Sequence, residues 1–492
     1  MMRKDPDGQN EQEMERKPNH MKALFDPQTV AVIGASDNPH KLGFHVMKSL
    51  VNGGYAGTII PVNPGTNEIM GKKVYAAVSD YENTIDLVIV VLPAKLVPGV
   101  FRDCALQGVG GIVLITAGFK EIDDPQGDRL HEEVAAIANQ ADIPVIGPNT
   151  FGMINFHARL NASFTPEFSQ LKRGGIALIS QSGGMSHLLG FLAMRAEVGF
   201  SKIVGLGNRL NVGFAQMLHY LAHDPETRVI VLYVEGLDHP MALVEAARAL
   251  RGKKPVIGYK TGSGRVSDQA SRSHTGSLAG SHAVYTRAFT QGGILHMDNT
   301  ETLLDTAKAL ASAPLPQGTG MAVLSGQAGP SMAACDVCEK QGLHIAPFSP
   351  PTQHRINDLL PPLALRTNPV DMGPAWYNAS AIAGIIQTVM EDPHVDGILL
   401  LMMFASANVD ALKGIKELLL TWKQQKPLLS CIQSPPGVWD AQIKELEDAG
   451  ALVNFPTPER AAAAMANVWR VHRLQTVISD PAPSSPSPHK GV

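Results

Sequence analysis

The sequence predicts an α/β protein made of doubly wound parallel sheets. Short β-branched runs alternate with helix-length segments along the whole chain. Those runs are apolar throughout rather than every second residue, which is how strands covered on both faces read. In addition, two sets of elements begin with similar strand–turn–helix sequences. Together these features place the chain among folds in which helices cover both faces of a parallel sheet.

Three sets of strands are expected. The first is Thr29–Gly34, Thr58–Val62, Leu87–Leu92, Ile112–Thr116 and Pro144–Gly147. Ile176–Ser180, Lys202–Gly205, Val229–Glu235 and Val256–Lys260 form the second. A third comprises Met321–Ser325, Leu343–Phe348, Gly397–Met402, Pro427–Cys431 and Leu452–Phe455. Breaks near Gly147-Pro148-Asn149 and in the Ser312–Thr319 linker divide the chain into domains at 21–148, 149–312 and 320–475. The Arg159–Arg173 stretch reads as a connection. The segments 1–20 and 476–492, the latter rich in Pro and Ser, read as disordered tails.

The second and third domains echo each other. Ile176-Ala-Leu-Ile-Ser-Gln-Ser-Gly-Gly-Met-Ser186 parallels Met321-Ala-Val-Leu-Ser-Gly-Gln-Ala-Gly-Pro-Ser331. Asp224-Pro225 and Lys254-Pro255 recur in the same order as Asp392-Pro393 and Lys426-Pro427. A duplicated flavodoxin-like unit accounts for all three echoes.

Composition excludes several classes. With 492 residues, 44% apolar and 17% charged, the chain can bury several cores. A formal net charge of −4 carries no basic excess for nucleic acid or an anionic membrane. The four cysteines, at 104, 335, 338 and 431, are too sparse for a disulfide framework. Cys335 and Cys338 form a CxxC without a second pair, so neither a metal site nor a redox role is expected. The polar N-terminus lacks a secretory h-region and no apolar run spans a bilayer, so a soluble, cytoplasmic protein is expected.

Four stretches carry chemistry. Gly34-Ala-Ser-Asp-Asn-Pro-His-Lys-Leu-Gly43 is a glycine-containing turn between a strand and a helix, an arrangement that aims backbone amides at an anion. Ser36 and Asn38 can donate to a phosphate and Lys41 adds a cation. The second strand ends Val62-Asn63-Pro64 without the acid that would hold a nicotinamide ribose, so NAD is disfavoured. Next, Ser180-Gln-Ser-Gly-Gly-Met-Ser186 leaves bare amides at Gly183 and Gly184 beside the Ser182 hydroxyl, a second anion site; Asn149 can donate into it. His187, just beyond, reads as structural. Glu235, at the carboxyl end of its strand, can orient an imidazole and stabilise its positive charge. Finally, Ser271-Arg-Ser-His-Thr-Gly-Ser-Leu-Ala-Gly280 puts His274 among small hydroxylated residues, in a segment composed like a mobile loop. An imidazole there can serve as a nucleophile toward phosphorus at more than one site. Each stretch also has a plainer reading: a βα turn, tight helix packing, a solvated carboxylate, an exposed loop histidine.

These motifs in order, with Thr116-Ala-Gly-Phe119, Gly147-Pro-Asn149, Gly207-Asn208 and Ser273-His-Thr-Gly-Ser-Leu-Ala-Gly280, resemble the α subunit of the NDP-forming acyl-CoA synthetases. That group includes ADP-forming acetyl-CoA synthetase and is related to succinyl-CoA synthetase. The resemblance covers about residues 22 to 475. It implies a Rossmann-like CoA-binding domain, followed by two flavodoxin-like domains. It implies coenzyme A contacts at Gly34, Ser36, Asn38, Lys41, Gly43, Asn63 and Pro93. Phosphate falls to Ser182, Gly183, Gly184 and Asn149, and catalysis to His274 and Glu235. His274 would carry a phosphoryl group from acyl phosphate to ADP held, with Mg, on an ATP-grasp β subunit in an α2β2 heterotetramer. Such a chain alone would not complete ATP synthesis. Two positions depart from the family pattern: Thr150 stands where a cysteine is usual, and Asn211 where an acid is common. Both bear on the acyl pocket, so the small carboxylic acid need not be acetate. Two other classes share the fold: a non-catalytic CoA-binding regulator, and an acyl or carbamoyl transferase that dispenses with His274.

Overall fold

The computed structural model describes residues 20–237, 239–267, 282–362, 364–375, 378–422 and 425–476. The chain divides between Asp298 and Asn299 into two compact units.

The first unit contains two large sheets. In the first, β1 (Thr29–Ile33), β2 (Thr58–Val62), β5 (Leu87–Val90), β6 (Gly111–Leu114) and β7 (Val145–Ile146) run parallel in the order β2-β1-β5-β6-β7. A short antiparallel pair, β3 (Glu68–Ile69) and β4 (Lys72–Lys73), lies outside it. Successive strand residues point to opposite faces. Accordingly Val30, Val32, Leu87, Ile89 and Val113 join one core, while Ala31, Ile33, Val88, Val90 and Leu114 join another. Two buried faces explain the unbroken apolar runs in the sequence.

The second sheet comprises β8 (Gly152–Asn155), β9 (Leu160–Ser163), β10 (Arg173–Ser180), β11 (Phe200–Gly205), β12 (Val229–Val234), β13 (Val256–Lys260) and β14 (Ile294–His296). Their order is β14-β13-β12-β10-β11-β8-β9. The core of five is parallel, but β8 pairs antiparallel with β11, and β9 antiparallel with β8. So part of the expected Arg159–Arg173 connection is a strand. Its sequence, Leu-Asn-Ala-Ser, hides it: Asn161 and Ser163 are buried polar groups that satisfy each other. Ser163 Oγ donates to Asn161 Oδ1 at 2.6 Å, and Asn161 Nδ2 donates to Ser169 Oγ at 2.9 Å.

The second unit has one sheet: β15 (Gly320–Ser325), β16 (His344–Ile345), β17 (Val370–Asp371), β18 (Gly397–Met403), β19 (Leu428–Gln433) and β20 (Val453–Asn454). The main order is β16-β15-β18-β19-β20, with β17 beside the end of β15. Helix Thr300–Ser312, which the sequence reading assigns to the second domain, falls in this unit. Arg460 holds both oxygens of Asp305 at 2.7 Å, Asn467 Nδ2 donates to Thr306 Oγ1 at 3.0 Å, and Lys308 reaches the Asn454 carbonyl at 2.7 Å.

The repeat extends to individual bonds. Lys254 Nζ donates to the Asp224 carbonyl, and Lys426 Nζ donates to the Asp392 carbonyl at 2.7 Å. Cys335 and Cys338, on helix Ala328–Lys340, are both free thiols. Burial, then nearby acids, pushes Cys335 up to about 11; burial, then Cys335 and Glu339, takes Cys338 to about 12. A redox-active thiol needs the opposite shift. Among the described residues no helix is long and apolar enough to cross a membrane.

Candidate functional site

In an open doubly wound sheet, ligands sit outside the carboxyl ends of the strands where the strand order reverses. That point lies between β1 and β5 in the first sheet and between β10 and β12 in the second.

At the first crevice the turn after β1 and the start of helix Leu42–Asn52 are pressed together. Gly34 has φ 88°, and a Cβ there would lie 2.6 Å from the Val91 carbonyl oxygen. At Gly43 a Cβ would come within 2.0 Å of the Gly34 carbonyl oxygen. Only glycines permit this approach, which brings the helix amides up to the sheet. Ser36 Oγ accepts from Asn38 N at 3.0 Å, and Asn38 Oδ1 accepts from His40 N at 2.9 Å. Both acceptors are therefore spent on shaping the turn, which leaves the serine hydroxyl proton and the Asn38 amide hydrogens for a ligand. Lys41 precedes the helix with an exposed side chain. Asn63 is a clamp: its Nδ2 donates to the Ala35 carbonyl and its Oδ1 accepts from Gly65 N, both at 2.8 Å. Pro93, exposed, follows β5.

At the second crevice, helix Gly183–Arg195 starts directly after β10. Ser182 caps it, its Oγ accepting from Met185 N at 3.3 Å. Neither glycine is there for packing. A Cβ on Gly183 would find its nearest neighbour, Phe151 Cβ, at 3.9 Å, and one on Gly184 only Ser182 Oγ at 3.9 Å. Open space over the first amides of a 13-residue helix is an anion-binding arrangement. His187 lies inside that helix as expected; its Nδ1 meets the Gly183 carbonyl and its Nε2 meets Thr165 Oγ1, both at 2.7 Å, among Phe151, Phe164 and Phe168.

Glu235 follows β12 and is only 9% exposed. Sequence reasoning missed the residue that places it. Gln181, 7% exposed, directs its Oε1 to Glu235 N at 2.6 Å and Gly236 N at 3.1 Å. It thereby ties the loop carrying Glu235 to the residue just before the Ser182 cap. Nothing in a Ser-Gln-Ser triplet signals that role, because its partners lie 54 and 55 residues away. Tyr233 stays a phenol: burial, then Glu235, pushes it up to about 12. Beside β12, β13 ends at Lys260, whose ammonium lies 4.7 Å over the Tyr285 ring, while Tyr285 Oη accepts from Leu237 N at 2.9 Å. From β13 the chain runs on toward His274, which lies outside the described residues.

Asn149 joins two motifs. It has φ 58°, its N donates to the Thr116 carbonyl at 2.9 Å, and its Nδ2 donates to Asn208 Oδ1 at 3.4 Å. Of the two unusual positions, Thr150 is buried with its Oγ1 on the Gly205 carbonyl at 2.6 Å. Asn211 supports the backbone, accepting from Val145 N at 2.8 Å and donating to the Ile143 carbonyl at 2.9 Å.

A glycine-tightened helix start in one sheet and an open helix start flanked by a buried carboxylate in the next are two anion-binding arrangements in sequence-adjacent sheets. Comparisons with known proteins agree. A CoA binding domain model matches residues 28–155 and a succinyl-CoA ligase like flavodoxin domain model matches 173–310. The α subunit of ADP-forming acetate–CoA ligase II of Pyrococcus furiosus is 35% identical over 450 residues, spanning 90% of this chain and 95% of its own. ADP-forming acetate–CoA ligase I of Archaeoglobus fulgidus is 35% identical, and the match takes in 64% of its length. A structure of the dinucleotide forming acetyl-coenzyme A synthetase 1 of Ca. Korarchaeum cryptofilum, in complex with phosphate and ADP, superposes with a TM-score of 0.85 at 32% identity over 92% of this chain and 97% of that one. The chain belongs to the family of α subunits of NDP-forming acyl-CoA synthetases.

Proposed function

We propose that this chain interconverts acyl-CoA and phosphate with carboxylic acid and CoA, passing a phosphoryl group through His274 to a nucleotide held by an ATP-grasp β subunit. The observation that carries this reading is the open helix start at Ser182–Gly184 beside a buried Glu235, the two loops fastened together by Gln181. An oxygen of phosphate, held by the Gly183 and Gly184 amides, the Ser182 hydroxyl and Asn149, attacks the thioester carbonyl. The C–S bond breaks and CoA departs, leaving acyl phosphate. His274 then attacks phosphorus, the P–O bond to the acyl group breaks, and the carboxylate leaves. Glu235 orients the ring and offsets its new positive charge. ADP, with Mg on the partner, receives the group.

CoA suits the first crevice, where Gly34 and Gly43 let the helix start close against the sheet, the helix amides can receive an anion and Lys41 supplies a cation. The α-subunit relatives support a separate partner. We further propose an α2β2 assembly in the cytoplasm and a three-domain division of the chain. Retention of Ser182, Gly183, Gly184, Glu235 and His274 speaks against a non-catalytic regulator.

The test is mass spectrometry of the native complex at neutral pH, since phosphohistidine is acid-labile. One phosphoryl group on the His274 peptide, with an ATP-grasp protein co-purifying, is the expected result. An unmodified His274 after incubation with ATP and Mg would sink the shuttle. His274→Asn should abolish ADP phosphorylation; full turnover in that variant would favour direct acyl transfer instead. ATP formation by the isolated chain would overturn the need for a partner.

A further inference from the structure

The motifs Thr116–Phe119 and Gly207–Asn208 have no part in the chemistry above, yet the fold brings them together at Asn149. Two residues past the first of them, Glu121 forms a carboxylate knot. Its Oε1 accepts from Gly118 N at 2.5 Å, both oxygens accept from Phe119 N at 3.2 Å, and Oε2 accepts from Asn208 Nδ2. We propose that Glu121 is a positioning residue for the phosphate step: through Asn208 it sets which way the Asn149 amide faces. This rests on reading Asn149 as a ligand of phosphate in the second crevice.

The argument turns on donor and acceptor types. A side-chain amide offers an oxygen on one side and an NH2 on the other, and the two are nearly isosteric. Left to itself, Asn208 could face Asn149 with either. An ionised carboxylate only accepts, so Glu121 compels Asn208 to give it the NH2. Asn208 Oδ1 is then turned to Asn149 and accepts its Nδ2 at 3.4 Å. One N–H of Asn149 is used, and its second N–H and Oδ1 are left to meet a substrate. The backbone around the relay is fixed independently: Asn149 N is on the Thr116 carbonyl at 2.9 Å, Asn208 N is on the Pro148 carbonyl at 2.9 Å, and Leu210 N is on the Gly147 carbonyl at 2.9 Å. Thr116 Oγ1 in turn donates to the Leu92 carbonyl at 2.7 Å, at the rim of the first crevice. Hydrogen bonds therefore run unbroken from the end of β5, through Thr116, to Asn149, Asn208 and Glu121.

Two isosteric substitutions in the full chain test this. Glu121→Gln replaces an acceptor-only group with one that can also donate, so the orientation of Asn208 is no longer dictated. We expect affinity for inorganic phosphate, measured by calorimetry, to fall about tenfold, with CoA affinity unchanged. Asn208→Asp sets two carboxylates face to face, which must share a proton. Its phosphate affinity should recover as the pH falls, unlike that of the wild type. His131, the titratable neighbour of Glu121 on helix Pro125–Gln140, is pushed down to about 4 by burial and by Lys120, against the pull of Glu121 and Asp128; it stays neutral across the test range. Wild-type phosphate affinity in Glu121→Gln, or pH-independent loss in Asn208→Asp, overturns the proposal. Should the wild type bind no phosphate, the functional reading fails, and a crystal structure of Glu121→Gln still decides: an Asn149 side chain unmoved in it overturns the relay.

Discussion

The second sheet of the first unit and the sheet of the second unit share one plan. Leaving aside the antiparallel β8 and β9, both place the first strand of the parallel core second in line, giving β11-β10-β12-β13-β14 and β16-β15-β18-β19-β20. Each first strand ends in a serine whose Oγ spans the turn: Ser180 to the Ser182 carbonyl at 2.9 Å, Ser325 to the Gln327 carbonyl at 2.5 Å. Their contents differ. In the first copy a serine caps the helix and two glycines open it. The second has Gln327, which makes no side-chain cap, then Ala328, Gly329 and Pro330, the last without an N–H. Gln181 N pairs with the Tyr233 carbonyl and Gly326 N with that of Leu401. By that register Glu235 corresponds to Met403, so the second copy lacks the carboxylate. The scaffold survives duplication because its bonds are backbone and strand-end bonds, while Ser182, Gly183 and Glu235 give way to Gln327, Ala328 and Met403.

Matched substitutions probe that contrast. Glu235→Gln should lower the rate of His274 phosphorylation by on the order of 10²–10⁴ in single-turnover assays with the partner. Met403→Leu should leave it within about twofold. Comparable losses would mean that the second copy is also catalytic. Gly184→Ala and Gly329→Ala meet no atom closely and should each stabilise their helix by about 0.5–1 kcal/mol. Only the first should weaken phosphate binding, by about tenfold, because its methyl enters the space over the helix start; equal affinities would show that phosphate does not occupy that space.

The smallest contrast concerns Asp224 and Asp392. Burial raises both, but hydrogen bonds outweigh it: Lys202 and Thr227 hold Asp224 below the usual carboxylate range, and Thr352, His394 and Ser349 do so for Asp392. A depressed folded-state value gives stability that is complete above about pH 4 and lost as the pH falls through it. Asp224→Asn and Asp392→Asn should each cost about 1–3 kcal/mol at pH 7, and the gap from wild type should close in acid. Urea titrations at pH 7 and pH 3 measure this. Asp224→Asn should cost more, because it strands Lys202, buried and paired at 2.6 Å. A gap that did not narrow between pH 7 and pH 3 would assign the cost to shape rather than charge.

Whatever depends on neighbours in the chain was legible beforehand. Most strands of the parallel sheets, the turn after β1, the helix start at Ser182–Gly184 and the repeat followed from local patterns, whereas β8, β9, β14 and β17 did not. The ends of strands were overread: Leu343–Phe348 shrinks to His344–Ile345, since only Gly320 and Met321 pair with it. Gln181 and Glu121 escaped notice for another reason. Each is a polar residue in a loop whose partners are fixed by strand order, and Glu121 meets Asn208 across 87 residues. Asn63, which the resemblance makes a ligand contact, also bonds through its amide to Ala35 and Gly65, and no reading of Val-Asn-Pro could reveal that.

The shifted thiols have a consequence for life beside a thiol substrate. Burial carries Cys104 and Cys338 up to about 12 and Cys335 and Cys431 to about 11. At neutral pH the described chain therefore exposes almost no thiolate to disulfide exchange. A disulfide of coenzyme A would meet few thiolates able to attack it on this chain.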